Sequence, residues 1–291
     1  MTFSDSETAA CARLVELALA EDLGTTGDRT SLSTIPADKS ATAAFVARSS
    51  GVIAGLTAAA RVCAAVDARL TFTPLVADGT AVVKGTRIAA VSGPLQSVLV
   101  AERTALNFLQ RLSGVATLTR KFADLVAGTK AKVLDTRKTT PGWRLMEKYA
   151  VRCGGGTNHR VGLYDAILIK DNHIAGLGDP STAVRRAVEL ARAYPGNAGL
   201  PVEVEVDSIE QLKQVLPVTP EIVLLDNMTT DELRACVKLR DEVAAGVLLE
   251  ASGGVNLTTI RGIAETGVDR ISVGAITHSA VALDVALDYV G

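Results

Sequence analysis

The chain carries 291 residues, 48% hydrophobic but only 3% aromatic, so a sizeable core must rest on aliphatic packing, and a stacking platform for single-stranded nucleic acid is excluded. Thirty Lys and Arg against 32 Asp and Glu leave a net charge of -2, without the basic excess that a nucleic-acid reader needs. Any anion the protein binds must therefore meet a local cluster of cations.

Ser4 and Glu7 have capping-box spacing ahead of an Ala/Leu-rich stretch, which predicts a first helix running to Leu23 and stopped by Gly24. A polar, Gly-rich loop, EDLGTTGDRTS, follows. Residues 41–48 and 70–75 read as strands flanking a helix over about 53–66, and residues 86–91 as a further strand, so the first part of the chain is a small α+β domain. Pro94 opens a long helix with Leu95, Val98, Leu99, Leu106, Leu109 and Leu112 in helical register, and Gly114 reads as its stop.

From Val133 the rhythm changes. VLDT, AILIKD, VEVEVD, IVLLD, VLLEAS and RISVG are six short β-rich runs, mostly separated by helical or loop stretches, the pattern of parallel βα units. A complete eight-fold barrel takes about 250 residues, which leaves an incomplete α/β barrel or a doubly wound sheet. Each apolar run ends in polar or small groups, and the carboxyl ends of parallel strands are where such folds place chemistry.

Alternation within VEVEVDS puts Glu203, Glu205 and Asp207 on one face and Val202, Val204 and Val206 on the other. Inward carboxylates need cations, and Glu205 with Asp226, at the end of the next run, could hold Mg²⁺ through water. Cations abound between residues 137 and 170. Arg137, Lys138 and Lys170 end strands, whereas Arg144, Lys148 and Arg152 recur at helical spacing and read as a solvated helix face. With His159 and Arg160 the cluster suits a ligand bearing several negative charges. The GGGT stretch at 154–157 lacks the Lys-Ser/Thr of a Walker motif, but Ser252, Gly253, Gly254 and Gly274 follow strands directly, where backbone N–H groups can cradle a phosphate.

Four cysteines, Cys11, Cys63, Cys153 and Cys236, stand apart with no metal-ligand spacing, which reads as reduced thiols. The amino-terminal residues lack the basic head and apolar segment of a leader, and no apolar run has the length of a membrane span. A cytoplasmic protein without membrane or nucleic-acid partners is the expectation.

Taken together, AERTALNFLQRLSGVAT, DTRKTTPGWRLMEKYAVRCGGGTNHRVGLYDAILIKDNH, VEVEVDS, LLDNM, EASGG and SVGAITHS resemble the quinolinate phosphoribosyltransferase family, with EDLGTTGDRTS matching near the start. The resemblance implies an α/β fold: an open-faced α/β sandwich over residues 1–113, an incomplete, six- or seven-stranded α/β barrel over 114–275 and a C-terminal segment, 276–291, that returns to the sandwich. It implies a transferase of NAD biosynthesis that joins quinolinate to 5-phosphoribosyl-1-pyrophosphate with Mg²⁺ and no organic cofactor, releasing pyrophosphate and CO2. Carried over by position, Arg103, Thr136, Arg137, His159, Arg160 and Lys170 would hold quinolinate. Lys138 would lie near the pyrophosphate, Glu205 and Asp226 would serve the ribose hydroxyls and the metal, and Ser252, Gly253, Gly254, Gly274 and His278 would surround the 5'-phosphate. The family implies a homodimer, or a higher oligomer, in which Arg103 enters the partner's site. Two alternatives stay open here, a paralogue associated with molybdate transport and a Schiff-base barrel lyase with Lys170 as nucleophile. A lipoyl-like carrier built on VVKGTRIAAVSGP is disfavoured, because Lys84-Gly85 lacks the flanking pattern of a modified lysine.

Overall fold

The computed structural model describes residues 1–178 and 182–290. The chain divides into two compact units: residues 1–120, 138–156 and 276 onward form the first, and residues 121–137 and 157–275 the second.

In the first unit α1 (Asp5–Leu23) starts where Ser4 and Glu7 exchange side-chain and backbone hydrogen bonds, and it stops at Gly24, whose φ is 53°. The following elements are α2 (Arg29–Thr34), β1 (Ser40–Ala47), β2 (Gly51–Val52), α3 (Leu56–Val66), β3 (Thr71–Pro74), β4 (Ala81–Val82), β5 (Arg87–Pro94) and α4 (Leu95–Leu125). The helix expected from about residue 53 begins three residues later, because Gly55 at its start holds a left-handed φ of 102° that no helical residue adopts.

The long helix α4 also departs from expectation. Gly114 lies in its interior and not at its end, and the helix continues to Leu125. A Cβ at Gly114 would collide with the Val281 carbonyl oxygen and press on Ala282. The glycine is there for close backbone approach, a need that the spacing of apolar residues cannot distinguish from a stop signal.

Beyond α4 the chain forms β6 (Lys132–Leu134), α5 (Arg144–Cys153), β7 (Ile167–Ile169), α6 (Asp171–Ala175), α7 (Ala183–Ala193), β8 (Val202–Val206), α8 (Ile209–Val215), β9 (Ile222–Asp226), α9 (Thr230–Val243), β10 (Leu248–Ser252), α10 (Ile260–Ala264), β11 (Arg270–Ser272), α11 (Ala275–His278) and β12 (Val285–Tyr289). In the first unit β12 lies antiparallel to β1, which gives a four-stranded sheet in the order β12-β1-β5-β3.

All six β-rich runs read from the sequence are strands of one parallel sheet, ordered β6-β11-β10-β9-β8-β7. From β7 to β11 each strand lies beside its successor, and β6 returns beside β11. A doubly wound sheet would reverse direction part-way, so this is barrel topology left open between β6 and β7. A single parallel bridge, Leu134 to Thr157, begins a seventh strand beside β6. The helix after β6, α5, belongs to the first unit. Val202, Val204 and Val206 are buried as the alternation requires.

Candidate active site

Parallel strands bring their carboxyl ends to one rim, and in the second unit that rim carries the polar groups. β6 runs into Asp135, Thr136 and Arg137, β7 into Lys170, and β9 ends on Asp226. Glu203 and Glu205 lie on β8, Glu250 and Ser252 on β10, and Gly274 follows β11. Asp135 is fully buried, and its carboxylate accepts the His159 backbone N–H at 2.7 Å and the Asn158 side-chain amide at 2.7 Å. Thr157 donates its N–H to the Val133 carbonyl at 2.8 Å. These contacts lay the segment 157–160 alongside β6 and so carry Arg160 to the neighbourhood of Arg137.

Burial, reinforced by the like charge of Arg137, lowers the pKa of Arg160. Glu203 and Asp165 act the other way on Arg160, and guanidiniums beside one another favour a bound anion. Arg160 also donates to the carbonyl of Ala166, the residue before β7, at 3.2 Å.

Beneath them His159 directs Nε2 at Glu203 Oε2, 3.1 Å away, and at Glu250 Oε1, 3.4 Å away, while Nδ1 accepts the Arg160 backbone N–H at 2.8 Å. Burial opposes charge on this imidazole and hydrogen bonds to the two glutamates favour it, but the Arg160 N–H on Nδ1 occupies the place of a second ring proton. Arg270 Nε donates to Glu250 Oε2 at 2.6 Å. Among the described residues His159, Glu203 and Glu250 are the one group of three His, Cys, Asp or Glu side chains whose ligand atoms could share an ion; Glu205 and Asp226 are not in it.

Lys170 Nζ lies 2.5 Å from Glu205 Oε2, and Asp226 accepts the Asn227 side-chain amide at 2.8 Å. Beside Asp226 the chain turns sharply. Asn227 has φ 53° and Gly253 φ 91°, the Asn227 N–H donates to the Ser252 carbonyl at 2.9 Å, and a Cβ on Gly253 would collide with Asn227 Oδ1. Only glycine lets the β9 and β10 loops approach this closely. Glu203, Glu250, Arg270, Asp135 and Asn227 escaped selection as site residues. The signal for Glu203 was present, since it shares a face with Glu205, whereas the Glu250–Arg270 pair joins two strands and has no local pattern.

Three of the expected residues belong to the first unit. Arg103 is exposed on α4, His278 closes α11 with Nδ1 2.7 Å from Ser279 Oγ, and the Lys138 carbonyl accepts the Thr277 hydroxyl at 2.7 Å. The solvated helix face expected for Arg144, Lys148 and Arg152 does not exist. Lys148 is 1% exposed, Arg152 pairs with the buried Glu7 at 2.6 Å and lies over the Tyr149 ring, and Arg144 donates to Thr139 Oγ1 at 3.1 Å. GGGT is likewise no phosphate loop, since Gly154 packs on the Ala116 carbonyl of α4. All four cysteines are buried and free. No described helix is long and apolar enough to cross a membrane.

The family models "Quinolinate phosphoribosyl transferase, N-terminal domain" and "Quinolinate phosphoribosyl transferase, C-terminal domain" match residues 28–113 and 115–288. The chain belongs to the quinolinate phosphoribosyltransferase family. It is 45% identical over 287 residues to the nicotinate-nucleotide pyrophosphorylase [carboxylating] of Mycobacterium leprae (strain TN), covering 98% of this chain and 99% of that one. Among solved structures, the nicotinate-nucleotide pyrophosphorylase of Francisella tularensis superposes with a TM-score of 0.87 at 42% identity, over 97% of this chain and 96% of that one. NadC from Streptococcus pyogenes gives 0.91 at 36% identity, over the full length of both. For a quinolinate phosphoribosyltransferase fold, the open barrel with its loaded rim is the expected arrangement.

Proposed function

We propose that this protein transfers the phosphoribosyl group of 5-phosphoribosyl-1-pyrophosphate to quinolinate, releasing pyrophosphate and CO2 and leaving nicotinate mononucleotide, a step of NAD biosynthesis. The observation that carries this reading is the seating of residues 158–160 on Asp135 beside the β6 end, which brings Arg160 within the field of Arg137, a pairing that suits a ligand with two adjacent carboxylates. Thr136, Arg137, His159, Arg160 and Lys170 form the dicarboxylate side of the site, joined by Arg103 from the partner of a homodimer. Arg103 is exposed in a single chain, as a residue destined for a partner must be.

Glu205 and Asp226, on adjacent strands of the rim, suit the ribose hydroxyls and a hard, oxygen-seeking Mg²⁺, an ion that keeps most of its waters and needs only one or two carboxylates. When bound, Mg²⁺ neutralises charge on the departing pyrophosphate. Lys138, which follows Arg137 in the chain, serves the same leaving group. Ser252, Gly253, Gly254 and Gly274, with His278, are the residues for the 5'-phosphate, whose oxygens the backbone N–H groups of such glycine turns can meet. As pyrophosphate leaves, the ribose ring becomes electron-poor and the pyridine nitrogen attacks its anomeric carbon. The residues contribute position and charge rather than covalent chemistry. The quaternised ring then accepts the electrons of the adjacent C–CO2⁻ bond, so loss of CO2 needs no organic cofactor. Lys170 spends its ammonium on Glu205, which suits an anion site and not a Schiff-base nucleophile.

The test is turnover of quinolinate with phosphoribosyl pyrophosphate and Mg²⁺, followed as nicotinate mononucleotide. Nicotinate should fail as a substrate, because a monoacid leaves part of the cation set unpaired. Comparable turnover of nicotinate overturns the reading.

A further inference from the structure

Glu203 and Glu250 are 2% and 0% exposed; among the described residues Oε1 of Glu203 has no hydrogen-bond donor, and Oε1 of Glu250 has only the 3.4 Å approach of His159 Nε2. Such buried carboxylates are costly, and apolar side chains of similar size would serve a purely structural core as well or better. Their placement shows what they are retained for. Glu250 is fixed from β11 by Arg270 at 2.6 Å, Glu203 stands on β8, and both point at a single atom, His159 Nε2. An N–H of the backbone can only donate, so the Arg160 amide directed at Nδ1 from 2.8 Å requires that nitrogen to be bare. The proton of the ring therefore belongs on Nε2, facing the glutamates, and both ring nitrogens are engaged by the protein. Asp135 holds the His159 backbone N–H at 2.7 Å.

We infer that Glu203 and Glu250 are positioning residues of the dicarboxylate site, acting through the His159 ring to fix the Arg160 backbone, and that His159 contributes to that site by this linkage rather than by donating a ring N–H to the ligand. The inference rests on the dicarboxylate reading of Arg137 and Arg160 given above. Arg270, Glu250, His159 and the Arg160 amide form a continuous chain of contacts from β11 to the rim. Freed from Glu203 and Glu250, the ring can rotate about its side-chain bonds, and the Arg160 amide loses its acceptor. The guanidinium then samples several positions, which weakens a two-point grip on an anion more than it disturbs the fold.

The experiment uses the whole protein, labelled with ¹⁵N. It has three histidines, so long-range ¹H–¹⁵N correlation resolves each imidazole, and His159→Gln assigns the signal. In the unaltered protein the His159 pattern should be that of a ring protonated at Nε2 and bare at Nδ1, unchanged when quinolinate is added. In Glu203→Gln and Glu250→Gln that pattern should be lost or averaged, and calorimetry should show quinolinate bound about tenfold more weakly or worse, with circular dichroism unchanged. Glu250→Asp should recover part of the affinity. A ring protonated at Nδ1 in the unaltered protein overturns the inference whatever the variants do, including variants that fail to fold. So does quinolinate affinity within twofold of the original in both glutamine variants. If the unaltered protein binds no quinolinate while the imidazole pattern is as expected, the proposed function fails and the fixed tautomer stands, which separates the two.

Discussion

The first unit contains an ion pair between the half-buried Arg111 and a fully buried carboxylate, Glu147. Arg111 on α4 gives Nε and Nη2 to Glu147 Oε1 at 3.1 and 2.5 Å, and its remaining donors reach the Thr277 carbonyl at 2.6 Å and the Ala280 carbonyl at 3.0 Å. Glu147 is fully buried and, among the described residues, its carboxylate is otherwise met only by the Thr140 N–H at 3.1 Å and the Thr140 hydroxyl at 2.8 Å. Arg111→Met therefore strands a carboxylate inside the protein, and stranding one partner of a buried pair costs about 3–5 kcal/mol. The chain has one tryptophan, Trp143, stacked on Phe108 with ring centroids 4.9 Å apart, so its fluorescence reports on this unit. With a urea dependence of about 3 kcal/mol per molar, the midpoint should fall by about 1–1.7 M. Arg111→Met/Glu147→Leu removes both charges, leaves the exposed Thr140 to water, and should recover most of the loss, since a buried pair replaced by apolar groups is commonly neutral or better. A midpoint for Arg111→Met within about 0.3 M of the original, or a double variant no better than the single, refutes this account of Glu147.

Asp226→Asn and Glu205→Gln should lower turnover without weakening calorimetric quinolinate affinity, which Glu205→Gln should tighten by releasing Lys170; lost affinity at full turnover would reverse the division of the site. Gly253→Ala imposes a left-handed φ on a residue with a Cβ and drives it into Asn227, so the KM for phosphoribosyl pyrophosphate should rise about tenfold, with quinolinate affinity unmoved. Arg103→Ala and Lys138→Ala should each be nearly inactive as homodimers, yet unfolding and refolding them together should restore roughly a quarter of full activity, because half the dimers are mixed and each of these has one intact site. No recovery despite subunit exchange confirmed by mass would show that Arg103 does not act across the dimer.

The strands of the rim and most of the candidate residues were legible in the chain because each is a local signal. Six apolar runs ending in charge specify βα units, and the alternation in VEVEVDS fixes which face carries Glu203 and Glu205. The capping box at Ser4 and Glu7 was legible for the same reason, since its two hydrogen bonds join residues three apart. Other features depend on contacts between distant segments, and there the tertiary structure decided. Gly114 spaces apolar residues as a helix stop would, and only the backbone of Val281 against it shows why the helix goes on. Lys148 and Arg152 lie at the spacing of a solvated face, but α5 joins the first unit, where Glu7 neutralises Arg152. The tautomer of His159 is set by glutamates 44 and 91 positions further on and by the amide of the next residue. Local pattern specifies which way a side chain leaves its own strand or helix; what it meets there is specified by the packing of segments that the sequence keeps far apart.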